Sequence, residues 1–220
     1  MCMDGIVLSV PPKDEIERTN FCHIGETHMY RKVSEAAKQE LAGGKDCGKQ
    51  VPMSRAVPLW GGIGEGGFGI VTWHKQKKLT QEEWVQVLRS GKLVEACRRA
   101  RPDRTHGPWH ILCDNEGFLK GKSAQSLYER LSVHLLHIPA RSPDLNPCEK
   151  FWAYLRKRLR AMDLQDVEAR RPPVGRAQLK ARVACILSSA KSKVVSKNLV
   201  RGLKRVCKVV LKKRGAASGL

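Results

Sequence analysis

The sequence predicts an α/β protein: a mixed five-stranded sheet flanked by helices, followed by a basic helical extension. Three observations carry that expectation. Apolar runs of strand length alternate with apolar patterns of helical period as far as Asp163. Two helix starts are written in capping chemistry, at Thr80 and Asn146. The formal charge of +20 over 220 residues falls almost wholly after Glu149, where only helical periods remain.

Met1 to Val10 is apolar apart from Asp4, Gly5 and Ser9, which suits a central strand covered on both faces. Pro11 to Pro58 is polar, with one short helix candidate from Ser34 to Leu41, and reads as an insertion over residues 11–56. Ala56–Ile63 and Phe68–His74 form a hairpin pattern around Gly64-Glu65-Gly66-Gly67. Thr80 and Glu83 are spaced as a reciprocal cap. They open a helix carrying Trp84, Val85, Val87 and Leu88, interrupted near Gly91 and resumed to Arg99. Trp109–Asp114 is the next strand, Ser123–Leu131 a helix and Val133–Ile138 a further strand. The loop Pro139–Pro147 leads to a helix from Pro147 to about Asp163.

Arg170–Gly175 is a basic, Pro-containing linker. Beyond it, Leu179, Val183, Ile186, Leu187 and Ala190 recur at helical spacing, and so do Val195, Leu199, Leu203, Val206, Cys207, Val210 and Leu211. The expected division is a domain over residues 1–165 and a basic helical extension over 166–220.

The apolar fraction of 41% is adequate for a folded core and argues against disorder. From Lys150 onward there are 20 basic residues and three acidic ones, so the first 149 residues carry only +3. Such asymmetry points to a polyanionic partner, double-stranded DNA first, held through one part of the molecule. A solvated basic face is the plainer reading. The cysteines at 2, 22, 47, 97, 113, 148, 185 and 207 include no CxxC pair and read as small buried hydrophobes in a reducing compartment. Cys22, His23, His28 and Cys47 match no common zinc spacing. No apolar run reaches the roughly 20 residues that cross a bilayer, and the N-terminus lacks signal-peptide features. The expectation is an intracellular protein, with no membrane partner.

Two carboxylates stand out. Asp114 closes the apolar run Trp109–Cys113, and Glu149 follows Asn146 and Pro147 at the third position of a helix, with 34 residues between the two. Carboxylates at a strand end and a helix start can share hard divalent cations, which take oxygen ligands. Glu149 could equally be a capping carboxylate, and Asp114 the start of an Asp-Asn turn. Asp4, the only ionisable residue in the first strand, is the candidate third ligand, or else part of a terminal Asp4-Gly5 turn. Down the helix, Cys148, Trp152, Leu155, Leu159 and Met162 form a core stripe, while Arg156 and Arg160 fall in line below Glu149 and suit either a phosphate backbone or a merely exposed Arg-rich face. Lys197, Arg201, Lys204 and Lys208 line one side of the last helix and are the other candidate DNA contacts, or a face for anionic lipid.

Ser142-Pro143-Asp144-Leu145-Asn146-Pro147-x-Glu149-x-x-Trp152 resembles the signature around the last catalytic carboxylate of Tc/mariner transposases. Asp114-Asn115 after an apolar strand resembles their second catalytic Asp, and Leu59-Trp60-Gly61-Gly62 their second strand. The resemblance covers about Met1 to Asp163 and the gap of 34 residues is that of the Tc branch. It implies a ribonuclease H-like DDE domain that cleaves and joins DNA with two Mg²⁺ or Mn²⁺ ions held by Asp4, Asp114 and Glu149. It also implies helix-turn-helix modules before the catalytic domain. None precedes the first strand here, so a truncated or degenerate element is expected, working in the nucleus if eukaryotic and otherwise cytoplasmic and DNA-associated. A homodimer is a further expectation, and a non-catalytic, sequence-independent DNA-binding protein derived from a transposase is the alternative.

Overall fold

A strand apolar on both faces must be covered on both, and Cys2–Ser9 (β1) is the middle strand of the sheet. The computed structural model describes residues 2–9, 56–73, 79–140, 142–172 and 174–215; for residues 4–9, 56 and 167 it describes the backbone alone. The insertion at 11–56, its helix candidate and Cys22, His23, His28 and Cys47 therefore lie outside the described residues, except for the backbone of Ala56.

The remaining strands are Ala56–Gly64 (β2), Gly67–Trp73 (β3), Trp109–Cys113 (β4) and Val133–His137 (β5). The sheet order is β3-β2-β1-β4-β5. β1, β2 and β3 are antiparallel neighbours, whereas β4 runs parallel to β1 and β5 parallel to β4. The mixed five-stranded α/β arrangement expected from the sequence is the one found. Between β2 and β3, Glu65 and Gly66 make the turn and Gly67 takes φ +125°, a backbone angle that L-residues rarely adopt.

Among the described residues the α-helices are Gln81–Arg89 (α1), Lys92–Ala100 (α2), Lys122–Arg130 (α3), Pro147–Glu168 (α4), Arg176–Ser188 (α5) and Ala190–Lys212 (α6). Thr80 caps α1 as its spacing predicts: its Oγ1 accepts from the Glu83 amide at 3.2 Å, and Glu83 Oε2 accepts from the Thr80 amide at 3.0 Å. Gly91, at φ +73°, separates α1 from α2.

Strand alternation divides the core in two. Trp109, Ile111 and Cys113 of β4 pack with Trp60, Trp84, Leu88, Leu93, Cys97 and Tyr128, so α1, α2 and α3 cover that face. Cys2, Leu59 and Ile63 pack on the other face with Cys148, Phe151, Trp152 and Leu155 of α4 and Leu179, Val183 and Ile186 of α5. Phe68 stacks on Phe151 with ring centroids 5.2 Å apart. α6 joins this second layer: Ser196 Oγ bonds the carbonyls of Gly64 and Gly67 at 2.6 and 3.1 Å. The helices after residue 166 thus complete the core of the sheet that precedes them.

α4 runs five residues past the Asp163 boundary read from its apolar stripe. The reason is a partner from α5. Arg182 bonds Asp163 at 3.3 Å and also Asp166, which Arg171 bonds at 2.9 Å. Among the described residues no helix is long and apolar enough to cross a membrane.

Candidate active site

The site is assembled by one strand register and one helix anchor. In the parallel β1–β4 pair, Cys2 lies opposite Leu112 and Met3 opposite Cys113. Asp4 and Asp114 each follow directly on the last paired position of that ladder, Met3 with Cys113. Asp4 shares its strand parity with Cys2, and Asp114 with Leu112; both Cys2 and Leu112 pack toward α4. On its other side Asp4 is in register with Gly61.

α4 begins on this same face. Asn146, only 2% exposed, caps it by accepting from the Cys148 amide at 3.1 Å through Oδ1. Fully buried Cys148 donates its S–H to the Cys2 carbonyl at 3.0 Å. That contact ties the first turn of α4 to β1 two residues before Asp4. Glu149, half-buried, is the next residue of that turn. Asp4, Asp114 and Glu149 are therefore brought to one region of the sheet, Asp4 by its backbone position.

The loop carrying Asp114 is braced. Asn115 Nδ2 donates to the Ile138 carbonyl at 2.6 Å, and Lys120 Nζ donates to Asn115 Oδ1 at 3.1 Å. His137 Nδ1 lies 3.2 Å from the Asp114 carbonyl. Glu116 sits nearby: burial pushes its carboxyl up, the Trp60 indole opposes that rise and the Asp114 charge adds to it. Sequence reasoning gave Glu116, Lys120 and His137 no role. The Asp-Asn-Glu string reads as a polar turn, and Trp60 meets it only in the fold.

Cys2 and Cys148 offer no soft ligand. Burial pushes the Cys2 thiol up to about 11, against a smaller opposing effect of the N-terminal charge. The Cys148 thiol is engaged by the Cys2 carbonyl. Oxygen donors remain, which is the set hard divalent cations take. Among the described side chains, which do not include that of Asp4, no group of three or more His, Cys, Asp or Glu gathers at metal-binding distance.

Of the candidate DNA contacts, Arg156 is exposed and Arg160 half-buried on α4, seven and 11 residues beyond Glu149. At 1.5 Å per residue they lie about 10 and 16 Å along the axis, on nearly the same side. Lys197, Arg201, Lys204 and Lys208 are exposed on α6. Arg201 is in an ion pair with Glu65 of the β2–β3 turn at 3.0 Å, which holds the Glu65 carboxyl below its usual range.

Comparison with known proteins agrees with this architecture. The Tc1 transposase of Caenorhabditis elegans is 31% identical over 77 residues, which are 31% of this chain and 28% of that protein. The Mos1 transposase catalytic domain, solved with Raltegravir and Mn, superposes with a TM-score of 0.57 at 15% identity, covering 93% of this chain and 96% of that one. A counterpart was solved with Mg. A Mos1 paired-end complex with the left transposon end superposes with a TM-score of 0.59 at 15% identity, covering 98% of this chain and 55% of that chain. The chain thus spans about half of that longer Mos1 transposase and less of Tc1. The ribonuclease H-like fold and the resemblance to Tc/mariner transposases are borne out. A family model described as DDE superfamily endonuclease matches residues 27–170, well over half of the sequence, and the chain belongs to that family.

Proposed function

We propose that this chain is a transposase-type catalytic domain that cuts and joins DNA, with Asp4, Asp114 and Glu149 holding two Mg²⁺ or Mn²⁺ ions. The observation that carries the reading is the pairing of the β1–β4 register with the Cys148–Cys2 contact, which gathers these positions on the α4 face. The donor chemistry supports it, and so do the Mn and Mg in the Mos1 catalytic-domain structures. Ions bound there would stabilise charge on the attacking and leaving oxygens of a phosphodiester.

The chain's own residues position and hold. Asn115 and Lys120 fix the loop that presents Asp114, while the Asn146 cap and Cys148 fix the turn that presents Glu149. Preset carboxylates need no rearrangement as charge develops, which is where such sites gain most of their rate. Arg156, Arg160 and the α6 row Lys197, Arg201, Lys204 and Lys208 would hold the duplex by its phosphates, without reading sequence. No Asp or Glu follows Glu168, so nothing on α6 opposes a polyanion. Nuclear action in a eukaryotic host belongs to the same proposal; the clusters Arg156–Arg160 and Lys212–Arg214 would direct it, and a fluorescent fusion with both clusters neutralised should lose nuclear accumulation.

A supercoiled-plasmid nicking assay with Mg²⁺ or Mn²⁺ tests the catalytic reading. Wild type should nick only with metal. Asp114→Asn and Glu149→Gln should each lose on the order of 10²-fold or more. Nicking unchanged in either variant overturns the assignment. DNA binding without metal-dependent cleavage would favour the non-catalytic alternative.

A further inference from the structure

The two edges of the sheet are treated differently. On the β3 side, α6 lies against the hairpin, with Ser196 bonded to Gly64 and Gly67 and Lys193 packed on Gly67. On the β5 side, no strand or helix among the described residues pairs with the outer edge. A groove of about 610 Å³ runs between that edge and α3, lined by Gln125, Tyr128, Glu129, His134, Leu135 and His137.

Strand geometry fixes which groups point outward. The Ile138 amide donates to Cys113 and the Ser132 carbonyl accepts from Trp109, so even-numbered residues of this segment bond toward β4. In a parallel strand the amide and carbonyl of one residue point the same way. Val133, Leu135 and His137 therefore present theirs outward. An open edge usually carries a lysine, a proline or a bulge as protection. β5, with the sequence Val-His-Leu-Leu-His, has none of them, and Leu136 is 52% exposed.

Charge selects the occupant. The charge of +20 is concentrated after Glu149, so two copies repel wherever they would meet through α4, α5 or α6. Gly107 to Ala140, which contains β4, α3 and β5, holds three basic residues (Lys120, Lys122, Arg130) and three acidic ones (Asp114, Glu116, Glu129). This stretch is neutral. A second copy can approach here, and the basic α6 faces would then remain on the far edges, free for a polyanion.

We propose that β5 pairs antiparallel with β5 of a second copy about a two-fold axis at Leu135, forming one continuous sheet across a homodimer. Leu135 lies opposite Leu135 of the second copy, and Val133 opposite its His137, each pair exchanging both backbone bonds, about six in all. His134 of each copy lies opposite Leu136 of the other as a non-hydrogen-bonded pair, which covers the exposed leucine. This goes beyond the catalytic proposal and stands without it.

The test is molecular mass in solution for the nucleic-acid-free full chain, by light scattering or sedimentation at micromolar concentration. Measurements at about 0.15 and 0.5 M salt control for charge repulsion. Wild type should be a dimer. Leu136→Lys, a change at an exposed position, should give a folded monomer because two lysines then enter the uncharged edge. His134→Glu combined with Leu136→Lys should restore the dimer, since the new charges meet only in the two-fold antiparallel register. A wild-type monomer, its edge open to some other chain, overturns the proposal. So does a dimer that persists in Leu136→Lys, or a double variant that stays monomeric with unchanged circular dichroism.

Discussion

One chemical change, Gly→Ala, should have opposite effects at two positions. At Gly62 an added Cβ would stand 2.3 Å from the Cys2 carbonyl oxygen and 2.3 Å from Met3 Cγ, with Met3 Cα at 3.0 Å. Those distances fall about 1 Å inside normal van der Waals separation. Met3 Cγ can swing away, but the Cys2 carbonyl is backbone of the strand that carries Asp4. Relief requires β1 and β2 to part. Overpacking costs about 1–3 kcal/mol, and with backbone on one side the upper end applies. For a chain of this length that is a fall of roughly 6–12 °C in Tm. A displacement near 1 Å at Asp4 should also lower nicking about 10²-fold. Gly202 is the control: it lies inside α6 and a Cβ there meets nothing within 4 Å. Gly202→Ala should stabilise by about 0.8–1 kcal/mol, or roughly 2–4 °C. Calorimetry on both variants and the nicking assay read the result. Gly62→Ala with unchanged Tm and activity would refute the β1–β2 register, and a destabilised Gly202→Ala would refute the open side of α6.

Tyr128→Phe removes the acceptor of a buried 2.6 Å bond from Trp84 Nε1 and should cost about 1–3 kcal/mol in urea unfolding, whereas a loss below about 0.5 kcal/mol would show that the indole finds another partner. Burial acts to raise the Asp166 carboxyl, but Arg182 and Arg171 outweigh it and leave it below its usual range. Its stability contribution is therefore full above the unfolded-state value near 3.9 and disappears as pH falls through the lower folded one. The Asp166 side chain is only 10% exposed, but Arg171 remains as a partner when Arg182 is lost. Arg182→Gln should consequently cost about 2 kcal/mol at pH 7, below the 3–5 of a fully buried broken pair, and markedly less near pH 3; an equal cost at both pH values would contradict the assignment. Lys197→Gln, Lys204→Gln and Lys208→Gln should each reduce the log–log salt slope of duplex binding by about 1, with little dependence on sequence, as read by fluorescence anisotropy.

The sequence was most readable where structure is local. Thr80 with Glu83, and Asn146 with Pro147, set helix starts through bonds within one turn, and both were found where their spacing put them. β1 was legible because a run that is mostly apolar on both faces leaves few other homes than the middle of a sheet. The end of α4 was not, because Asp163 and Asp166 are held by Arg182, 16 or more residues later. The candidate site divides in the same way. Asp114 and Glu149 could be singled out from their own neighbours. Glu116 could not, since Trp60 reaches it across the sheet.

The Cys148–Cys2 contact joins residues 146 apart in sequence, and Ser196–Gly64 joins residues 132 apart. Closing loops of that length costs entropy before any contact rewards it, which slows folding. The carboxylates thus come together late, after both faces of β1 have found cover. No shorter folding unit holds the site, so the chain should gain its chemistry in a single late step. Until then β1 would be a largely apolar strand with open edges, the kind of surface that makes incomplete folds prone to aggregate.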